Sequence, residues 1–198
     1  AKDRAQVYAP ELPIEGVIGF GAVTDPGLLL QEDPIFGPYL IQAYRGFYGE
    51  DIIDPADVYQ PTWVEDFEEQ ALSICVDEIF STYSHSARRM YRDEFREVLY
   101  DGRLAAEYPD FAEKLTANRA GLEGGTDIPV LLLQGTADTV ITPPSQRRFR
   151  DQLCVLGNSV TWNEYTGASH ADTRGRSYSD VLSWMEDAAQ GAPPSDCP

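Results

Sequence analysis

The chain has 198 residues, a formal net charge of -18 at pH 7, 42% hydrophobic residues and 24% charged ones. Charge of that sign repels nucleic acid and anionic membrane surfaces, which removes both as partners. No run approaches the roughly 20 apolar residues of a membrane-spanning helix, so the composition is that of an ordinary soluble globular chain.

The chain opens on "AKDRAQ", which is charged and has no apolar core of a signal peptide; a mature secreted protein would also lack one. The first apolar run, "EGVIGFGAV" (Glu15 to Val23), reads as a strand. From Asp25 to Thr126 the pattern changes to helices. "FGPYLIQAYRGFYG" spaces Phe36, Leu40, Tyr44 and Phe47 along one helical face. "WVEDFEEQALSICVDEIFSTYS" reads as one long amphipathic helix, and "YRDEFREVLYDGRLAAEYPDFAEKL" as one or two more. About a hundred helical residues between two strands exceed an ordinary crossover and read as a cap or lid.

"IPVLLLQG" (Ile128 to Gly135) is continuously apolar, the signature of a parallel strand covered on both faces. Pro143 and Pro144 then start a helix with Phe149, Leu153 and Leu156 as its apolar stripe and Gly157 as its stop. "SVTWNEYTG" (Ser159 to Gly167) is the third strand. The last helix, "SYSDVLSWMEDAAQG", packs Val181, Leu182, Trp184 and Met185 inward and ends at Gly191. Strand, helix, strand, helix defines a right-handed crossover unit and an α/β fold with a mostly parallel sheet. The expected organisation is residues 1–24 as a helix tail and core strand, 25–126 as the helical insertion, and 127–198 as the C-terminal α/β core.

Ligands and catalytic groups of open parallel sheets collect beyond the carboxyl ends of the strands. Asp138, in "GTADTV", and His170, in "GASHAD", both follow strands to that edge. The two strands are sequential and expected to be adjacent, so the carboxylate can orient the imidazole and stabilise its protonated form, the pairing that activates a nucleophile. Taken singly, each has a plainer reading: an aspartate after a strand serves turns and caps, and a loop histidine is solvated. The other histidine, His85, falls at the end of the long helix and reads as structural or exposed. No nucleophile accompanies the pair, because the chain contains no G-x-S-x-G turn. "GNSVT" around Ser159 opens a strand instead of ending one, Ser84 and Ser86 lie in the helical insertion, and Ser169 adjoins the histidine itself.

The three cysteines, Cys75, Cys154 and Cys197, form no CxxC or His/Cys cluster, and no metal or organic cofactor is expected. A Pro-rich tail gains from being pinned, which favours a Cys154–Cys197 disulfide and an oxidising compartment; the alternative is two unpaired thiols. Cys75 is then the odd cysteine, which points to a partner outside the chain.

Three stretches, "YAPELPIEGVIGFGAVTDPGLLL", "IPVLLLQGTADTVITP" and "TGASHAD", together with the terminal "DCP", resemble the C-terminal part of secretory lipases of the α/β-hydrolase fold, the group similar to the yeast lipase A type with bacterial members. The resemblance runs in order over nearly the whole chain. It implies a lipase in which Asp138 is the triad acid and His170 the triad base. It further implies that residues 25–126 form a lid whose Phe36, Tyr39, Leu40, Tyr44 and Phe47 line the acyl site or meet a lipid interface. Cys154 and Cys197 would form the terminal disulfide. "AKDRAQVYAPEL" would be the tail of the helix after the nucleophile. The serine elbow and oxyanion hole would then lie in a missing N-terminal half, whose cysteine could pair with Cys75. The rivals are a hydrolase-derived binding module without catalysis and a peptidase similar to prolyl oligopeptidase.

Overall fold

The structure, a computed structural model, describes residues 2–122, 128–191 and 193–197. The chain divides into two compact units, Asp25–Arg119 and the flanking Ala1–Thr24 with Ala120–Pro198. The boundary expected near residue 126 lies outside the described residues.

The flanking unit begins with helix α1 (Lys2–Tyr8) and strand β1 (Val17–Phe20). It resumes with β2 (Val130–Gly135), after the helical unit. Helix α11 (Pro143–Val155) follows, then β3 (Val160–Tyr165), α12 (His170–Arg176) and α13 (Tyr178–Ala189). The three strands form one parallel sheet in the order β1-β2-β3, with Val17 opposite Val130 and Val130 opposite Val160. Every residue of β2 is buried. Its side chains alternate between two layers, as a pleated strand requires. Val130 and Leu132 pack with Leu153 and Val160, against Phe149 of α11. Leu131 and Leu133 pack on the other face with Trp184 and Ala188 of α13. A strand buried on both faces cannot alternate apolar with polar, so "VLLLQG" reads as a continuous run.

The two edges of this sheet differ. Beyond β3 the C-terminal tail takes up backbone groups: Asp196 N–H donates to the Val160 carbonyl at 2.7 Å, and its carboxylate accepts Trp162 N–H at 2.7 Å. The Cys154–Cys197 disulfide ties that tail to α11. β1 is the other edge, half-buried along its length, and no strand pairs beyond it among the described residues.

In α11, Leu153 is buried, but Leu156 lies at the helix end and is 37% exposed. In α13 the inward face is Trp184 and Ala188 with Val181. Leu182 and Met185, expected inside, are exposed because the helix rests on the sheet by one narrow stripe. The short helix α12 has no counterpart in the sequence reading, since its seven residues carry no large apolar side chain and so show no apolar period.

The helical unit contains α2 (Pro26–Glu32), α3 (Gly37–Tyr48), α4 (Pro55–Val58), α5 (Phe67–Ser73) and α6 (Val76–Thr82). It continues with α7 (Ala87–Met90), α8 (Asp93–Tyr100), α9 (Leu104–Glu107) and α10 (Pro109–Ala117). Asp25 caps α2 by accepting Gly27 and Leu28 N–H groups at 3.0 and 3.1 Å, ahead of Pro26 in the first turn. The long helix expected from Trp63 to Ser84 is broken in two. Ile74 and Cys75 are extended, and the Glu78 carboxylate accepts Cys75 N–H at 3.3 Å to start α6 afresh. The Ile74 carbonyl freed by the break is taken up by the Tyr39 hydroxyl. The stretch from Tyr91 to Leu115 makes three helices where one or two were expected, because Gly102 and Pro109 interrupt it. The unit has its own core, built around Leu30, Ile41, Tyr59, Tyr91, Phe95 and Phe111. On α3 the buried face is Gly37, Pro38, Ile41 and Tyr44; Phe47, expected on that face, is 82% exposed.

Candidate active site

The exits of β2 and β3 are stitched together by hydrogen bonds between their loops. Thr136 N–H donates to the Tyr165 carbonyl at 3.1 Å, Ala137 N–H to the Ala168 carbonyl at 3.0 Å, and Gly167 N–H to the Thr136 hydroxyl at 2.8 Å. The loops meet closely at Gly135. A Cβ on that residue would lie 2.3 Å from the Ala168 carbonyl oxygen and 2.6 Å from the Thr173 hydroxyl, so the contact admits only glycine. Buried Gln134 donates its amide N–H to the Ile141 carbonyl at 3.0 Å and so closes the far side of the β2 loop.

These loops place Asp138 and His170. The Asp138 side chain is fully buried. Its Oδ1 accepts Val140 and Ile141 N–H groups, both at 2.9 Å, which fixes the carboxylate plane. Its Oδ2 lies 2.9 Å from Nδ1 of His170. A carboxylate only accepts, so this contact puts the imidazole proton on Nδ1 and leaves the Nε2 lone pair outward. Nε2 has no hydrogen-bond partner among the described residues, and the ring is 41% exposed. His170 is the first residue of α12, where Ser169 and Asp172 form a capping box. Asp172 N–H donates to the Ser169 hydroxyl at 3.2 Å, and the Asp172 carboxylate accepts that hydroxyl at 2.8 Å. That hydroxyl, and the Ser169 N–H that donates to the same carboxylate at 3.2 Å, hold the Asp172 carboxyl below its usual range. Ser169 is therefore engaged in its own helix cap.

A third wall comes from β1. Gly21, one residue past its end, has φ +48° and donates its N–H to the Leu133 carbonyl at 2.9 Å. A Cβ there would stand 2.8 Å from Asp138 Oδ2 and 3.0 Å from His170 Nδ1. Gly21 was not singled out in the sequence. The signal was a glycine directly after a strand at the same sheet edge as Asp138 and His170.

The remaining expected residues lie elsewhere. Phe36, Tyr39 and Leu40 are partly buried against the helical unit's own core, and Tyr44 is within it; burial pushes the Tyr44 phenol up to about 12. Phe36 meets Phe80 edge to face, with ring centroids 6.2 Å apart. Phe47 alone of the five is broadly open. His85, 60% exposed, leans on buried Asp33, with Nδ1 3.0 Å from Oδ1. Cys75 is exposed and unpaired.

No family model and no curated protein matches this chain. Solved structures do. Candida antarctica lipase A in its closed state superposes with a TM-score of 0.72 at 16% identity, over 98% of this chain and 46% of that one. A putative hydrolase from Legionella pneumophila gives 0.70 at 13% identity, over 94% and 51%. A rice cell wall degrading esterase from Xanthomonas oryzae gives 0.54 at 17%, over 85% and 42%. At these identities the likeness establishes the fold, which is that of the α/β-hydrolases. The chain spans about half the length of these matched structures.

Proposed function

We propose that this chain supplies the acid, the base and the lid of a carboxylic-ester hydrolase of lipase type. The observation that carries the reading is the buried Asp138 carboxylate, fixed by two backbone N–H groups, holding Nδ1 of His170 while Nε2 stays open at the carboxyl edge of a parallel sheet. In the reaction, a serine on a G-x-S-x-G turn from a segment outside this chain attacks the ester carbonyl. Nε2 of His170 takes the serine proton and delivers it to the departing alcohol. Asp138 keeps the ring in its tautomer and stabilises the imidazolium. Backbone N–H groups, one of them beside the serine, hold the oxyanion. Water then enters by the same base and releases the acid.

That segment is also the natural cover for β1, whose half-buried edge is a pairing template. The matched structures, about twice as long, have room for it. Asp25–Arg119 is the lid in this reading, with Phe47 the acyl or lipid contact most open to a substrate and Phe36, Tyr39 and Leu40 the partly exposed contacts beside it. The Cys154–Cys197 disulfide supports a secreted protein, and Cys75 is free to pair with a cysteine of the missing segment.

The test is p-nitrophenyl ester hydrolysis by the chain alone and with a G-x-S-x-G segment supplied. The chain alone should be inactive, the combination active, and His170→Ala should remove the activity. Full activity in His170→Ala overturns the triad. No activity in any combination favours a binding module, and turnover of dipeptide amides over esters favours a peptidase.

A further inference from the structure

We propose that Gly21 is a positioning residue for the Asp138–His170 pair: the volume of its missing side chain is the volume in which the carboxylate and imidazole meet. A Cβ at Gly21 would fall 2.8 Å from Asp138 Oδ2, 3.0 Å from His170 Nδ1 and 3.2 Å from its Cε1, against both ends of the hydrogen bond that sets the tautomer.

Neither backbone nor carboxylate can yield cheaply. Gly21 N–H is bonded to the Leu133 carbonyl, and the next residue's carbonyl, that of Ala22, accepts the side-chain amide of buried Gln146 at 2.7 Å. β1's exit is therefore held from both β2 and α11. Asp138 Oδ1 is held by Val140 and Ile141 N–H groups, so the carboxylate cannot slide away as a unit. The one partner with room to move is the partly exposed His170 ring. A methyl at Gly21 should thus be accommodated by tilting His170 off Asp138. This displaces the base from the serine it must deprotonate, and misplacements of about 1 Å cost on the order of 10²-fold in rate. The catalytic consequence rests on the ester-hydrolase reading; the effect on the pair does not.

The positive φ of Gly21 complicates a single substitution, because an L-alanine there is strained whatever its surroundings. A double-mutant cycle separates strain from collision. The melting-temperature drop caused by Gly21→Ala is measured in the native background and again in His170→Ala. Strain is common to both backgrounds. The contact with the anchored Asp138 Oδ2 also persists in both, and only the collision with the imidazole is relieved in the second, where the ring is gone. The drop should be larger in the native background by about 3 °C or more. If Gly21→Ala fails to fold, the double variant should fold. Equal drops, or a double variant that also fails, overturn the proposal.

A second readout uses the fact that the chain has only two histidines. Nuclear magnetic resonance of the ring N–H groups should show the His170 Nδ1–H resonance moved or lost in Gly21→Ala, with that of His85 unchanged. An unmoved His170 resonance overturns the proposal as well. Ester turnover is scored separately. If His170→Ala retains turnover, the hydrolase reading falls while the cycle and the resonances still decide the role of Gly21.

Discussion

Each compact unit contains one histidine, and each histidine leans by Nδ1 on a buried aspartate: His170 on Asp138 at 2.9 Å, His85 on Asp33 at 3.0 Å. The contacts are nearly identical, and the surroundings differ. Asp138 stands at the carboxyl edge of a parallel sheet, its other oxygen taken by two N–H groups, with a glycine wall beside it. Asp33 joins α2 to the next turn, and burial pushes its carboxyl above the usual range against the opposing pull of His85 and the Ile35 N–H. An Asp–His contact alone is therefore a general way to bury a carboxylate. Its backbone anchoring and its place on the sheet edge make one of the two a candidate for chemistry.

Four experiments test that contrast. The largest effect is on turnover. On the proposed ester-hydrolase reading, with a serine segment supplied, His170→Ala should cost about 10³-fold or more, some 4 kcal/mol of transition-state stabilisation, while His85→Ala should leave the rate within about twofold. Comparable losses at both sites would erase the distinction.

Stability comes next. Asp138→Ala strands the Val140 and Ile141 N–H groups and should cost about 3 kcal/mol in denaturant unfolding. Asp33→Asn keeps a polar acceptor and removes a costly buried charge, so its change should stay within about 1 kcal/mol of zero.

The third effect is a pH dependence. Asp33 holds its proton more tightly when folded than when unfolded, so its contribution to stability is present at low pH. That contribution is lost as pH rises from the ordinary aspartate range to the raised value. Comparing melting curves across that interval, Asp33→Asn should remove a slope of at most one proton, about 1.4 kcal/mol per pH unit. An unchanged slope would show that Asp33 is not the group responsible. The smallest effect is His85→Ala on stability. A pair whose histidine is 60% exposed should be worth no more than about 0.5 kcal/mol. A larger loss would mean that the junction after α2 depends on this contact.

The sequence made some of this legible and hid the rest for identifiable reasons. The β2 run from Val130 was readable because two-sided burial leaves an unbroken apolar string. The edge positions of Asp138 and His170 followed from the strands ending just before them. The break between α5 and α6 was hidden, because the apolar period of "FEEQALSICVDEIF" continues straight through it. A backward bond from Glu78 to Cys75 decides the break locally. The α3 face was misplaced by one step: Phe47 lies out in solvent and Ile41 within, since aromatic spacing alone does not tell which stripe a helix buries.

By itself, then, the sequence determined the parallel α/β core, the helical insertion and the edge at which an acid and a base emerge. Burial, period and chain order are local properties. Only packing shows that the β2 and β3 loops close on Gly135, and that the exit of β1 stops at a Gly21 whose absent side chain leaves room for the pair. Those facts depend on distances between residues remote in sequence, 32 positions apart for Asp138 and His170 and more than a hundred for Gly21 and Asp138, and only packing sets them.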